Sequence, residues 1–100
     1  MEEAGISRIG ISWYKREQYG AIRALMTDGG NLPVTYDAWL QAAETLLART
    51  RGRGMRAVID ADEFRAWCKA RRIRPNGDAR RLWANKVVAE AAGSAGAAAE

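Results

Sequence analysis

Two short apolar stretches of this chain predict β-strands. In residues 8–13, polar or small residues alternate with Ile9, Ile11 and Trp13, which is the two-residue period of a half-buried strand. Residues 55–59 form a β-favouring run between a glycine-containing turn and an aspartate cap, and they predict a second strand. An isolated pair of strands is marginally stable in water, so helices must cover it.

Two helical segments are predicted between these strands. The first spans residues 15–27, with one apolar face, and the glycines within residues 28–31 end it. The second begins at Thr35, whose hydroxyl can accept a hydrogen bond from a free backbone amide, and it ends near residue 51. The predicted core positions are Tyr19, Ile22 and Met26 in the first helix, and Tyr36, Trp39, Leu40, Ala43 and Leu47 in the second.

Two more helices are predicted after the second strand. Asp60 followed by Glu63 resembles a capping box, and this third helix extends to about residue 71. Asn76 caps the fourth helix, which we expect to end at Gly93, and residues 93–100 are predicted to be a disordered Ala/Gly tail. The predicted buried faces are Phe64, Trp67 and Cys68 in the third helix, and Ala79, Trp83, Val87 and Ala91 in the fourth, with Leu82 beside them.

The predicted fold is α+β, with four helices and a minimal two-stranded sheet in the order β-α-α-β-α-α. Residues 1–92 form a single domain, and all four tryptophans fall on apolar faces, which predicts a Trp-rich core. The pattern leaves open whether the two strands pair within one chain or between chains. Free sheet edges favour a homodimer through the sheet edge, or a strand donated by a protein partner.

Positive charge is concentrated in the middle of the chain. The whole chain carries a net charge of +4, but residues 49–81 hold eleven basic and four acidic residues. This asymmetry indicates either an anionic partner, such as nucleic acid bound through its phosphates, or only a composition rich in Arg and Ala. The candidate contacts are Arg49, Arg51, Arg53, Arg71, Arg72, Arg74, Arg80 and Arg81.

The composition argues against an enzyme. The chain has no histidine, which removes the commonest general base and metal ligand, and its single Cys68 excludes an internal disulfide and a Cys-rich zinc site. Cys68 lies on an apolar stripe, so we interpret it as a buried structural thiol. The cluster Asp60, Asp62 and Glu63 is interpreted as helix capping. We therefore assign no catalytic residue, no metal and no cofactor.

The chain is predicted to be cytoplasmic. It opens with two acidic residues, lacks an apolar run resembling a secretory signal, and contains no stretch long enough to span a membrane. The lone cysteine is consistent with a reducing compartment.

Three stretches of the chain are similar to segments of other proteins: ISWYKREQY, TYDAWLQAAETLL and VIDADEFRAWCKARRIRPNGDARRLWANKVV. They resemble a group of small uncharacterised bacterial proteins, over about residues 6–90. The resemblance implies a bacterial origin and no assigned activity. The leading functional hypothesis is a non-catalytic protein-interaction or accessory module, and nucleic-acid binding is the alternative.

Overall fold

The order of elements is the one that the sequence predicts. The computed structural model describes the backbone of residues 8–99 and the side chains of residues 8–92. A short 3₁₀ turn at Gly29–Asn31 is the one addition to the predicted order. The α+β class is therefore confirmed. The elements are β1 (Ile9–Trp13), α1 (Arg16–Leu25), α2 (Tyr36–Arg49), β2 (Gly54–Val58), α3 (Ala61–Arg71) and α4 (Gly77–Ala99).

The two strands pair with each other within the chain, and they are parallel. Ile9 lies opposite Gly54, and the register continues to Trp13 opposite Val58. Two hydrogen bonds extend the ladder at its ends, from the Ile9 N–H to the Arg53 carbonyl and from the Ile59 N–H to the Trp13 carbonyl, each 2.9 Å. Because parallel strands need a long crossover, α1 and α2 together carry the chain back to the start of β2.

Helix α4 packs on the face of the sheet that carries Gly10 and Ser12. A Cβ atom at position 10 would lie 2.7 Å from the Ala84 carbonyl oxygen and 2.9 Å from Val88 Cγ2, so this close approach requires glycine. The Ser12 hydroxyl donates to the Arg80 carbonyl at 3.4 Å. These contacts fix α4 antiparallel to β1, and α4 contacts β1 more extensively than β2.

Helix α2 covers the opposite face of the sheet and also runs antiparallel to β1. Near its start, the Tyr36 hydroxyl donates to the Tyr14 carbonyl at 3.0 Å, just after β1 ends. Trp39 packs edge-on against Trp13, with ring centroids 5.2 Å apart. Helices α1 and α3 follow the two strands and contact each other, and the Ala61 N–H donates to Gln18 Oε1 at 2.7 Å.

Three predicted helix caps are confirmed. Thr35 Oγ1 accepts from the Ala38 N–H at 3.1 Å, Asp60 Oδ2 accepts from the Glu63 N–H at 3.0 Å, and Asn76 Oδ1 accepts from the Ala79 N–H at 3.0 Å. Each bond satisfies an amide that has no partner inside its own helix. These caps place the starts of α2, α3 and α4 where the sequence predicts them.

The aromatic residues form two groups within one continuous core. The first group surrounds Trp39 and joins β1, α1 and α2, while the second joins α3 to α4 through Phe64, Trp67 and Trp83. Trp67 is only partly buried, and its Nε1 is the one buried side-chain polar atom in the described part of the chain without a hydrogen-bond partner. The predicted Trp-rich core is confirmed.

The end of α4 differs from the prediction. Its helical backbone continues through Gly93 to Ala99, so the end predicted at Gly93 is wrong. Alanine has the highest helix propensity, and the alanines on both sides of this glycine outweigh its cost. The side chains of residues 93–100 lie outside the described residues, and disorder of that tail stays a prediction. None of the described helices is long and apolar enough to cross a membrane.

Two glycine substitutions should change stability in opposite directions. We expect Gly10→Ala to lower the free energy of unfolding by about 1–3 kcal/mol, because the new methyl group overpacks the contact with α4. Gly20→Ala, within α1 and facing open space, should raise it by about 0.5–1 kcal/mol. Chemical denaturation of both variants measures the two changes, and equal stability of Gly10→Ala and the wild type would contradict the tight contact.

Candidate functional site

The arginines predicted to contact an anion lie in groups at opposite ends of the sheet. Arg49, Arg51 and Arg53 lie at the amino end of the strands, where the Arg53 carbonyl accepts from β1. Arg71, Arg72 and Arg74 lie between α3 and α4, beside the carboxyl end of the strands. The five-residue strands separate the two groups by about 16 Å. β2 begins just after Arg53 and leads into α3, so this strand carries the chain from one end of the sheet to the other between the two groups. The candidate arginines therefore do not come together in one place.

Arg80 lies in a mostly buried ion pair. Its Nη1 lies 2.9 Å from Asp28 Oδ1, and Asp28 Oδ2 also accepts from the Gly77 N–H at 3.0 Å. These contacts tie the loop after α1 to the first turn of α4. The hydrogen bond from Arg80 lowers the pKa of Asp28 below its ordinary value. An anion bound at Arg80, as the sequence predicts, would have to share the Arg80 guanidinium with Asp28.

The other candidate arginines are exposed, and several have local roles. Arg81 lies 3.4 Å from Asp78 in a solvated pair, and the guanidinium of Arg71 stacks on the Trp67 ring at 4.8 Å. Arg51 and Arg72 adopt the left-handed conformation, with φ of 54° and 58°, at the ends of helices. Anion binding by these exposed side chains stays a prediction.

Cys68 lies in the core, and Asp60 of the acidic cluster is a helix cap. The thiol of Cys68 is 2% exposed, and its burial raises its pKa, which disfavours the reactive thiolate. Asp60 is used as a helix cap. In the described part of the chain, no group of three or more potential metal-ligating side chains comes together.

A groove of about 390 Å³ follows the side of β1 that faces away from β2. Its floor consists of β1 itself, and no residue of β2 lines it. One wall is formed by α2, with Trp39, Ala42 and Leu46, and the other wall is formed by α4, with Arg81 and Ala84. The walls are mostly apolar. The groove therefore occupies the place where a third strand of the sheet would lie.

The edge of β1 presents unpaired backbone groups to this groove. In the parallel ladder, Ile9, Ile11 and Trp13 direct their N–H and C=O groups toward β2, so Gly10 and Ser12 direct theirs away from it. Within the described residues, no hydrogen bond satisfies the backbone groups of Gly10 and Ser12 on that side. Both residues are half-buried. Two donors and two acceptors thus face an apolar groove.

The two ends of the groove differ in chemistry. Because α2 and α4 both run antiparallel to β1, the starts of these helices meet the carboxyl end of β1. This end carries Arg80, Arg81 and Tyr14, whereas Leu46 and Ala84 lie toward the amino end. Burial raises the pKa of Tyr14 to about 12, so its hydroxyl stays protonated at neutral pH. Leu46 is a large apolar side chain with half of its surface exposed.

The sequence predicts free sheet edges but not this groove. The available signal is the presence of small residues, Gly10 and Ser12, between the large apolar residues of β1. Small residues indicate a close approach of another element to that face of the strand. They do not indicate that two helices will stand on either side of the strand's edge.

Comparison with models of protein families, with curated proteins and with solved structures found no match for this chain. The resemblance to a group of small bacterial proteins therefore stays a prediction.

Replacement of Asp28 should test the buried pair. We expect Asp28→Asn to lower the free energy of unfolding at pH 7 by about 1–3 kcal/mol, because Arg80 loses its counter-charge. The pKa of the folded Asp28 carboxyl lies below its ordinary value of 3.8, so its stabilisation is present above that pH and is lost as pH falls further. The difference in free energy of unfolding between variant and wild type should therefore narrow as the pH is lowered below 3.8.

Asp78→Asn supplies the matched control for that experiment. Asp78 pairs with Arg81 at an exposed position, and its replacement should change the free energy of unfolding by less than about 1 kcal/mol. Denaturant titrations at pH 7 and below pH 3.8 measure the free energy of unfolding of both variants and the wild type. Equal effects of the two substitutions at pH 7 would show that Asp28 is not the anchor of α4.

Proposed function

We propose that this protein is a non-catalytic interaction module that receives an extended segment of a partner protein along the free edge of β1. The observation that carries the proposal is that the outward-facing backbone groups of Gly10 and Ser12, inside an apolar groove, have no hydrogen-bond partner among residues 8–92. Addition of a strand to a sheet edge is a common mode of peptide recognition, in which main-chain hydrogen bonds supply affinity.

The groove suits a strand better than a helix or a compact ligand. An added strand pairs the N–H and C=O groups of Gly10 and Ser12, which a helix cannot do because its own backbone groups are already bonded. Side chains of the added strand alternate between the two faces of the sheet, so they would contact α2 and α4 in turn. The small residues Ala42 and Ala84 leave room for them on the two walls.

A partner's segment also suits the groove better than a second copy of this chain. The edge of β1 is recessed between two helices, which admits one extended chain more easily than a whole domain. Antiparallel pairing of two β1 strands about Ile11 would bring Arg8 of one copy toward Arg81 of the other. Pairing of two β2 edges would place Arg56 near its own counterpart. The homodimer through a sheet edge stays a prediction.

Ser12→Pro tests the proposal, with Ser12→Ala as its matched control. Both variants lose the hydroxyl, but only proline removes the backbone N–H at the free edge, where a strand tolerates it. We expect capped hexapeptides that alternate valine and threonine to protect the Gly10 and Ser12 amides from hydrogen exchange in the wild type. Ser12→Ala should bind them similarly, and Ser12→Pro should weaken binding about tenfold or more.

A second pair of variants tests whether the α2 wall of the groove contacts the peptide. Leu46→Glu places a charge in the groove, whereas Leu82→Glu makes the same change at an equally exposed position elsewhere. Only Leu46→Glu should reduce peptide binding. The proposal fails if no peptide protects the two amides, or if all these variants bind equally. A concentration-dependent dimer that Ser12→Pro dissociates would instead identify a second copy as the occupant.

Nucleic-acid binding is the second candidate, and the exposed cluster Arg71, Arg72 and Arg74 favours it. If phosphates bind there, affinity for a short duplex should fall steeply with salt, because neutralised phosphates release counterions. Simultaneous replacement of these three arginines by Ala should abolish it. The same change at Arg49, Arg51 and Arg53, at the other end of the sheet, should have little effect. Fluorescence anisotropy at a series of salt concentrations measures the duplex affinity of the wild type and of both triple variants. If the wild type does not bind the duplex at low salt, nucleic-acid binding is ruled out.

A further inference from the structure

Among the residues that line the groove beside β1, the positively charged ones lie at one end. Arg80 and Arg81 lie beside the carboxyl end of β1, and no acidic residue is among the described residues that line the groove. Asp28 already neutralises Arg80. The side chain of Arg81 is two-thirds exposed, and its contact with Asp78 at 3.4 Å is a weak surface pair. Arg81 is therefore the cation that a bound segment can use.

The amino-terminal end of α4 adds partial positive charge at the same end of the groove. Gly77 and the first turn of α4 lie at the same end of the groove as Arg81. The backbone dipoles of a long helix add partial positive charge at its amino terminus. At the opposite end, the walls consist of Leu46 and Ala84, which offer apolar contact and no charge. A segment that matches both ends must itself be apolar at one end and anionic at the other.

We infer that the segment received by the groove is an extended, alternating apolar stretch preceded by an acidic residue, and that it pairs antiparallel to β1. This inference rests on the proposed function. Antiparallel ladders are slightly more stable per residue than parallel ones. In that direction the amino end of the added strand meets the carboxyl end of β1. The acidic side chain must then come first in the segment to reach Arg81.

The expected gain from this charge contact is moderate. A carboxylate can accept two parallel hydrogen bonds from the planar Arg81 guanidinium, which adds specificity as well as affinity. Because the site remains partly open to water, we expect the contact to raise affinity about three- to tenfold. Most of the affinity still comes from the backbone of Gly10 and Ser12 and from the apolar walls.

Two capped hexapeptides of identical composition test the direction. One has the sequence Glu-Val-Thr-Val-Thr-Val and the other is its reverse, with glutamate last. We expect the first to bind the wild type about three- to tenfold more tightly in a titration followed by amide chemical shifts. Arg81→Gln should remove this preference. Arg49→Gln, an equally conservative change at the other end of the sheet, should retain it.

The possible outcomes separate this inference from the proposed function. A preference for the peptide with glutamate last, lost in Arg81→Gln, would overturn the antiparallel direction. Equal affinity of the two peptides, with binding still lost in Ser12→Pro, would overturn the inference and leave the proposed function standing. If Ser12→Pro and Ser12→Ala bind the peptides equally, the proposed function fails, and the inference fails with it.

Discussion

The close contact between α4 and β1 is the interaction on which the rest of this fold depends. Two strands alone do not form a stable sheet in water, so both faces must be covered. Glycine at position 10 allows α4 to lie directly on one face, and the Asp28–Arg80 pair holds the start of that helix in place. Because α4 is centred on β1 rather than between the strands, it extends past the sheet's edge and, with α2, encloses the groove.

The order and the starts of the elements could be predicted because local chemistry determines them. A capping side chain such as Thr35 or Asp60 acts on amides three residues away, and the sequence shows it directly. The direction of strand pairing could not be predicted, since the two-residue period is the same in parallel and antiparallel sheets. The end of α4 could not be predicted from Gly93 alone, because the helix propensity of the alanines around this glycine outweighs its cost.

The site was harder to predict than the fold, because residues close in sequence are not necessarily close in space. The candidate arginines lie in two separate groups because β2, between Arg53 and Arg71, crosses the length of the sheet. The groove combines residues of β1, α2 and α4, which no sequence period relates. Composition alone limits the chemistry in a different way, because a chain without histidine has no imidazole base and one with a single cysteine has no internal disulfide, whatever its fold.

The parallel pairing also has a consequence for how the chain folds during synthesis. About 40 residues separate the end of β1 from the start of β2. At roughly 5–20 residues per second, β1 emerges from the ribosome about 2–8 seconds before β2 does. During that interval, α1 and α2 can form but β1 has two open edges instead of one. A chain truncated before β2 should therefore be far more prone to aggregate than the complete domain, because it lacks the strand that pairs with β1.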